Sequence, residues 1–159
     1  MSSRRPVCTI LLASMWLGGF SACSSVLLTT PVTKRAEGWV LTLGQVKEGP
    51  DDYIAEGGVA VASGKGEKLI WALLTVRSEL GQEETFSYDG CLLDGKDRSY
   101  QPLVIDQSRH AELNSAADRA EAFNPGQERT RQLIYAYPKD QRPTRMKCGT
   151  IVLPIPSQK

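Results

Sequence analysis

The stretch from Leu69 to Arg77 limits the architecture more than any other part of this chain. Ile70, Ala72, Leu74 and Val76 alternate onto one side with the two-residue period of an extended strand, while Leu69, Trp71 and Leu73 make the opposite side apolar too. Such a strand needs cover on both faces, which places it in the middle of a sheet.

The surrounding sequence supplies neighbours for it. Trp39 to Val46 reads as a strand with Trp39, Leu41 and Leu43 on one face, followed by a turn at Gly49, Pro50, Asp51 and Asp52. Val59 to Ala62 is a short strand between glycine pairs. Thr85 to Leu93 and Arg98 to Ile105 follow, joined by a hairpin-type turn at Asp94, Gly95, Lys96 and Asp97. A last strand pair closes the domain. Arg129 to Tyr137 alternates Arg131, Leu133, Tyr135 and Tyr137, and Arg145 to Leu153 alternates Met146, Cys148, Thr150 and Val152 inward with Lys147 outward. The one helical candidate, Ser108 to Ala122, is Ala-rich and charged and ends at Asn124, Pro125 and Gly126. It lacks a wide apolar stripe, so it reads as a surface helix or a long connection. Roughly six to eight short strands at turn-marked intervals predict an all-β chain, an antiparallel β-sandwich with one short helical connection.

The N-terminus carries a different signal. Arg4 and Arg5 precede an apolar run from Val7 to Phe20, which ends in Ser21 and Ala22 before Cys23. That is the layout of an export signal. Its apolar core is about 14 residues, whereas a membrane-spanning helix wants roughly 20. The alternative is an uncleaved anchor prolonged through Val26, Leu27 and Leu28. A twin-arginine route fits less well, because Pro6, Val7 and Cys8 suit its following positions poorly.

Phe20, Ser21, Ala22 and Cys23 resemble the lipobox of bacterial lipoproteins, with Phe20 in place of the usual Leu. The resemblance implies that the Cys23 thiol is diacylated, that the peptide is cut before it, and that its amine is then acylated. One acyl chain holds a protein on a membrane only marginally; two or more anchor it stably. Ser24 stands where lipoproteins retained in the inner membrane often carry Asp, which implies an outer-membrane location facing the periplasm in a Gram-negative source.

Residues 1–22 are thus expected to be a signal peptide, 23–36 a lipidated Ser-, Thr- and Pro-containing tether, 37–156 the sandwich and 157–159 a tail. Removing residues 1–22 from the 159 leaves 137, enough for one core. Loss of Arg4 and Arg5 leaves 17 basic residues against 18 acidic ones, a net charge of −1 that gives no global pull toward nucleic acid. Cys8 lies in the signal and Cys23 is the anchor, so Cys91 and Cys148 remain as a pair in an oxidising compartment and read as a disulfide. Closing a loop of nearly 60 residues stabilises by about 4 kcal/mol on the chain-entropy model.

The order of the strand and turn signals resembles a family of small exported bacterial immunoglobulin-like domains of unknown function. The residues that carry it are Lys68 to Arg77, Leu92 to Gly95 with Tyr100, and Asn124, Pro125 and Gly126 leading through Leu133 and Ile134 to Tyr137 and Pro138. It spans roughly Glu37 to Leu153 and implies an immunoglobulin-like sandwich. It supplies no catalytic residues. The Gly57 to Gly66 stretch and the connection from Gln107 to Ala122 depart from the pattern.

Motifs for chemistry are weak. Gly58 to Gly66 includes Gly64 and Lys65, but its spacing misses that of a phosphate loop, and Gly66 stands where Ser or Thr would bind magnesium. His110, the only histidine, lies beside Asp106 and Ser108 without the strained elbow of a nucleophile triad. The acid pairs Asp51 with Asp52 and Glu83 with Glu84 lack the spacing of a calcium loop. No cofactor or metal is expected; two Cys and one His do not complete a structural zinc site. Charge is more suggestive. Arg129, Arg131, Lys139, Arg142, Arg145 and Lys147 face one acid, Asp140, a net of +5 on one predicted hairpin, while Glu79 to Asp94 holds five acids and no base. Arg129, Arg131, Arg142, Arg145 and Lys147 form a candidate binding face for an anionic envelope polymer or an acidic protein. Alternating charges also protect a solvated edge. The expected function is a non-enzymatic, membrane-anchored binding or assembly module of the bacterial cell envelope. The alternatives are a ligand-sensing subunit of an envelope complex and, further off, a hydrolase using carboxylates.

Overall fold

The doubly apolar stretch forms the strand Glu67–Ser78, hydrogen-bonded on one side to Trp39–Glu48 and on the other to Glu128–Pro138. The computed structural model describes residues 25–54, 60–107 and 116–156. In chain order the strands are β1 (Val26–Leu28), β2 (Val32–Ala36), β3 (Trp39–Glu48), β4 (Asp52–Ile54), β5 (Ala60–Ala62), β6 (Glu67–Ser78) and β7 (Glu84–Ser87). After a 3₁₀ turn at Tyr88–Gly90 come β8 (Cys91–Asp94), β9 (Ser99–Tyr100), β10 (Val104–Asp106), β11 (Ala120–Phe123), β12 (Glu128–Pro138), β13 (Arg145–Cys148) and β14 (Ile151–Pro154).

All pairings are antiparallel. The large sheet has the order β1-β3-β6-β12-β10, and β2 shares the outer edge of β3 with β1. Its inner face packs against a four-stranded sheet, β14-β13-β8-β9, and a two-stranded sheet, β11-β7. Ile70, Ala72, Leu74 and Val76 enter this main core with Leu41, Leu43, Val46, Leu133, Tyr135 and Tyr137. Leu69 and Trp71, on the reverse face of β6, pack with Ile134 and with Tyr53 of the β4–β5 hairpin. That hairpin supplies the second cover that the sequence of β6 demands.

Two tyrosines on β12 tie the layers together. Tyr135 donates its hydroxyl to the Cys91 carbonyl (2.8 Å) and Tyr137 to the Asp94 carbonyl (3.0 Å), both on β8 of the facing sheet. Burial holds both phenols above the usual tyrosine range, Tyr137 at about 12. Cys91 and Cys148 are disulfide-bonded. They are direct partners in the β8–β13 register, so the bond staples adjacent strands of one sheet, whereas the immunoglobulin disulfide crosses between sheets.

Several expectations are corrected. Much of the expected tether is sheet: β1 and β2 line β3, and Leu27 and Leu28 are buried. The alternation of Val32, Thr33 and Lys34 serves an edge strand, which needs only one apolar face, so its composition resembles that of a linker. The helical candidate is also overturned where it is described, because Ala120–Phe123 is strand β11 paired with β7. Glu121 and Phe123 point inward with the period of a strand, and this packing outweighs the helix preference of the Ala-rich composition. Residues 108–115, His110 included, lie outside the described residues. The expected strands Thr85–Leu93 and Arg98–Ile105 each break in two: the 3₁₀ turn transfers the chain from β7 to β8, and Pro102 and Leu103 transfer it from the small sheet to β10. Arg145–Leu153 is a hairpin turning at Gly149, whose φ of 58° suits glycine. Past that turn the phase reverses, so Ile151 and Leu153 face inward and Val152 outward. A bulge at Gly44 does the same in β3, bringing Val46 rather than Gln45 into the core.

Candidate functional site

The five residues of the expected basic face do not share a surface. β12 and β13 lie in different sheets, so the predicted hairpin does not exist. Arg129 and Arg131 project from the inner face of β12 toward Glu121, a carboxylate 8% exposed. Arg131 donates Nε and Nη2 to Glu121 Oε1 (3.0 and 2.7 Å), Arg129 lies 3.3 Å from Oε2, and Tyr88 donates its hydroxyl to Oε2 at 3.0 Å. The Arg129 guanidinium also stacks 5.1 Å over Phe123. Burial, and then the Glu121 charge, push the Tyr88 phenol well up. These groups satisfy one another and hold the β7–β11 sheet to the large sheet.

Arg142 is used differently. Its guanidinium bonds the carbonyls of Leu27 (3.0 Å) and Pro156 (3.3 Å), joining β1 to the segment after β14. Arg145, 57% exposed, pairs with Asp94. Hydrogen bonds from Ser99 and Arg145 hold the Asp94 carboxyl below the usual carboxylate range. Lys147 faces solvent on β13. Cys23 lies outside the described residues. Among the described residues, no group of three or more His, Cys, Asp or Glu gathers as metal ligands, and no helix is long and apolar enough to cross a membrane.

A site absent from the sequence reading lies at the end of the sandwich where the β2–β3, β13–β14 and 3₁₀ turns meet. It is a cavity of about 270 Å³ walled by Trp39 and Phe86, with Glu37, Ser87 and Thr150 at its margin and Ile151 behind. Trp39 is held edge-on by Phe86 (centroids 5.2 Å apart) and Phe123 (5.5 Å), so the aromatic wall is prepacked. The tight turn between β2 and β3 sets the margin: Glu37 and Gly38 have φ of 52° and 77°, the left-handed pair of a two-residue hairpin loop. Glycine suits that conformation; glutamate is held in it by the pairing of Ala36 with Trp39. Ligand pockets run from about 300 Å³ upward, so this one suits a single ring or side chain. Trp39 was legible as a strand residue, but the Glu37-Gly38 turn and its meeting with Ser87 and Thr150 were not, because the preceding residues read as a tether.

No family model matches the chain, and no curated protein matches it. Among solved structures, a functionally unknown protein from Listeria monocytogenes EGD-e aligns with a TM-score of 0.53 at 12% identity, covering 87% of this chain and 90% of that one. An uncharacterised β-sandwich protein from Clostridium difficile 630 aligns with a TM-score of 0.49 at 10% identity over 76% of this chain and 82% of that one. The Listeria likeness shows the fold alone.

Proposed function

We propose that this chain is a lipid-anchored, non-enzymatic binding module of the bacterial cell envelope, held at Cys23 and engaging its partner through the cavity walled by Trp39 and Phe86. The observation that carries the reading is the prepacked aromatic wall beside polar groups from three separate turns. An apolar wall with Ser87, Thr150 and Glu37 around it presents contact area and directional hydrogen bonds together, the usual composition of a recognition site. It brings one carboxylate to its margin, where glycoside hydrolysis by the common route needs two. The lipobox-like run ending at Cys23 supports the anchor, and the resemblance to exported immunoglobulin-like domains supports the compartment.

The test is affinity capture from the native envelope with the mature protein and with Thr150→Trp or Ser87→Trp, which fill the cavity from exposed positions. A partner retained by the parent and by Lys147→Ala, and lost on both tryptophan variants, supports the site. Equal retention by the filled variants sinks it. Cys23→Ala should abolish acylation and the cut before residue 23, both read by intact mass, while leaving capture by the detergent-solubilised protein intact.

A further inference from the structure

We propose that the end of the sandwich at which β1 begins is pressed against the lipid headgroups, and that the Trp39–Phe86 cavity is the membrane-distal end. This deepens the anchoring reading and rests on acylation of Cys23. The warrant is the length of free chain. The Ser25 carbonyl already accepts a hydrogen bond from the Glu48 backbone N–H at 2.9 Å, and β1 starts at the next residue. Two residue steps separate Cys23 from Ser25, which is at most about 7 Å of extended chain. Behind Ser25 the anchor point is rigid. Val26 pairs with Lys47, Leu27 and Leu28 are buried, and the Arg142 guanidinium holds the Leu27 carbonyl.

The register identifies the rest of that end. Glu48 lies beside Ile70, Pro138 beside Glu67, and the Lys139 N–H bonds the Gly66 carbonyl at 2.9 Å. That end exposes Lys65, Lys96, Arg98, Lys139 and Arg142 against Asp51, Asp52, Asp97 and Asp140, an excess of one positive charge. One such charge gives roughly a fivefold preference for an anionic surface, so the tether, and not charge, dominates the contact. The opposite end disfavours a collapse onto the membrane. Ser78 pairs with Trp39, the Glu79 N–H bonds the Gly38 carbonyl, and Glu128 pairs with Arg77. Glu37, Glu79, Glu83, Glu84 and Glu128 there face Arg35 and Arg77, an excess of three negative charges that an anionic surface repels. β6 alone, at 12 residues, spans about 40 Å. The cavity therefore opens toward partners well outside the headgroup layer.

Native lysines report the orientation without substitution. The mature protein, purified from membranes, is placed in phosphatidylglycerol–phosphatidylethanolamine vesicles and in detergent, then labelled with a water-soluble lysine acylating reagent and read by peptide mass spectrometry; intact mass first establishes acyl chains on Cys23. Lys65 and Lys139 should label about fivefold more slowly in vesicles than in detergent, whereas Lys34 and Lys147 label equally in both. The protection should persist at high salt and in zwitterionic vesicles. A Gly/Ser insertion of about 12 residues after Ser24, with a root-mean-square reach of roughly 20 Å, should remove it. Acylated protein whose Lys65 and Lys139 label equally in vesicles and detergent, or whose Lys34 and Lys147 are protected as strongly, overturns the orientation and leaves the anchor standing. An unmodified Cys23 overturns both.

Discussion

Arg131 and Arg145 have the same side chain and stood together in the candidate binding face, yet the fold gives them opposite settings. Arg131 is 14% exposed and makes two hydrogen bonds to a carboxylate that is itself 8% exposed. Arg145 is 57% exposed and reaches from the surface to Asp94, which is 14% exposed and also accepts a hydrogen bond from Ser99. A charge taken out of water depends on its partner, because loss of one leaves the other desolvated and unpaired; a surface charge left without its partner is rehydrated. An arginine in a strand thus says little about function until its neighbours across the sandwich are known.

That comparison is broken most directly at Glu121. Arg131→Ala should lower the unfolding free energy by about 3 kcal/mol, read by urea denaturation, since it takes two charge-assisted hydrogen bonds from a buried carboxylate and leaves it only Arg129 and Tyr88. A change under about 1 kcal/mol, the range of surface pairs, would erase the distinction. Comparable in size, converting Cys91 and Cys148 together to Ala should cost about 2–4 kcal/mol and loosen the β8–β13 pairing, seen as faster amide exchange there than in β6.

The phenols sharpen the contrast at high pH. Tyr53, Tyr88, Tyr135 and Tyr137 all have pKa values raised by burial. Their neutral forms contribute stability that is fully present below the unfolded value near 10 and is lost as pH rises through the folded values, for Tyr137 about 12. Tyrosinate absorbance from these four should therefore rise with cooperative unfolding above about pH 10. Ionisation of these four in the ordinary tyrosine range without unfolding would contradict the packing.

The smallest effect belongs to Arg145→Ala, about 0.5 kcal/mol or less, diminishing further in salt. Because the folded Asp94 pKa is depressed, its contribution is present above the unfolded value near 4 and fades as pH falls through the folded one. A stability loss on Arg145→Ala as large as that of Arg131→Ala would show that the Asp94 carboxyl, 14% exposed and also bonded by Ser99, depends on that one arginine.

The strands with two-sided or long alternation were legible: β6 at the centre, β12 with Leu133, Tyr135 and Tyr137 inward, and the β8–β9 turn at Asp94 to Asp97. Their patterns are set by burial of whole rows of side chains, which a linear pattern records. Less legible were the short or edge strands. β1 and β2 read as linker because one of their sides faces water, and β11 read as helix because Ala120 and Ala122 sit on its exposed side. Thr33, Thr42, Thr75 and Thr130 form one cross-strand row, with Thr33 bonded to Thr42 and Thr75 to Thr130 at 2.8 Å, and no local pattern announces it.

By itself the sequence determined an antiparallel β-sandwich, its central strand and the eligible cysteine pair, because periodic burial and the count of thiols are properties of the chain taken in order. Only the tertiary structure decided that Arg129 and Arg131 turn inward to Glu121, that residues 26–28 and 32–36 are sheet, and that Trp39, Phe86, Glu37 and Thr150 share a cavity. Those facts depend on which strands face each other and where the chain changes sheet, and contacts between residues distant in sequence leave no period along the chain to be read.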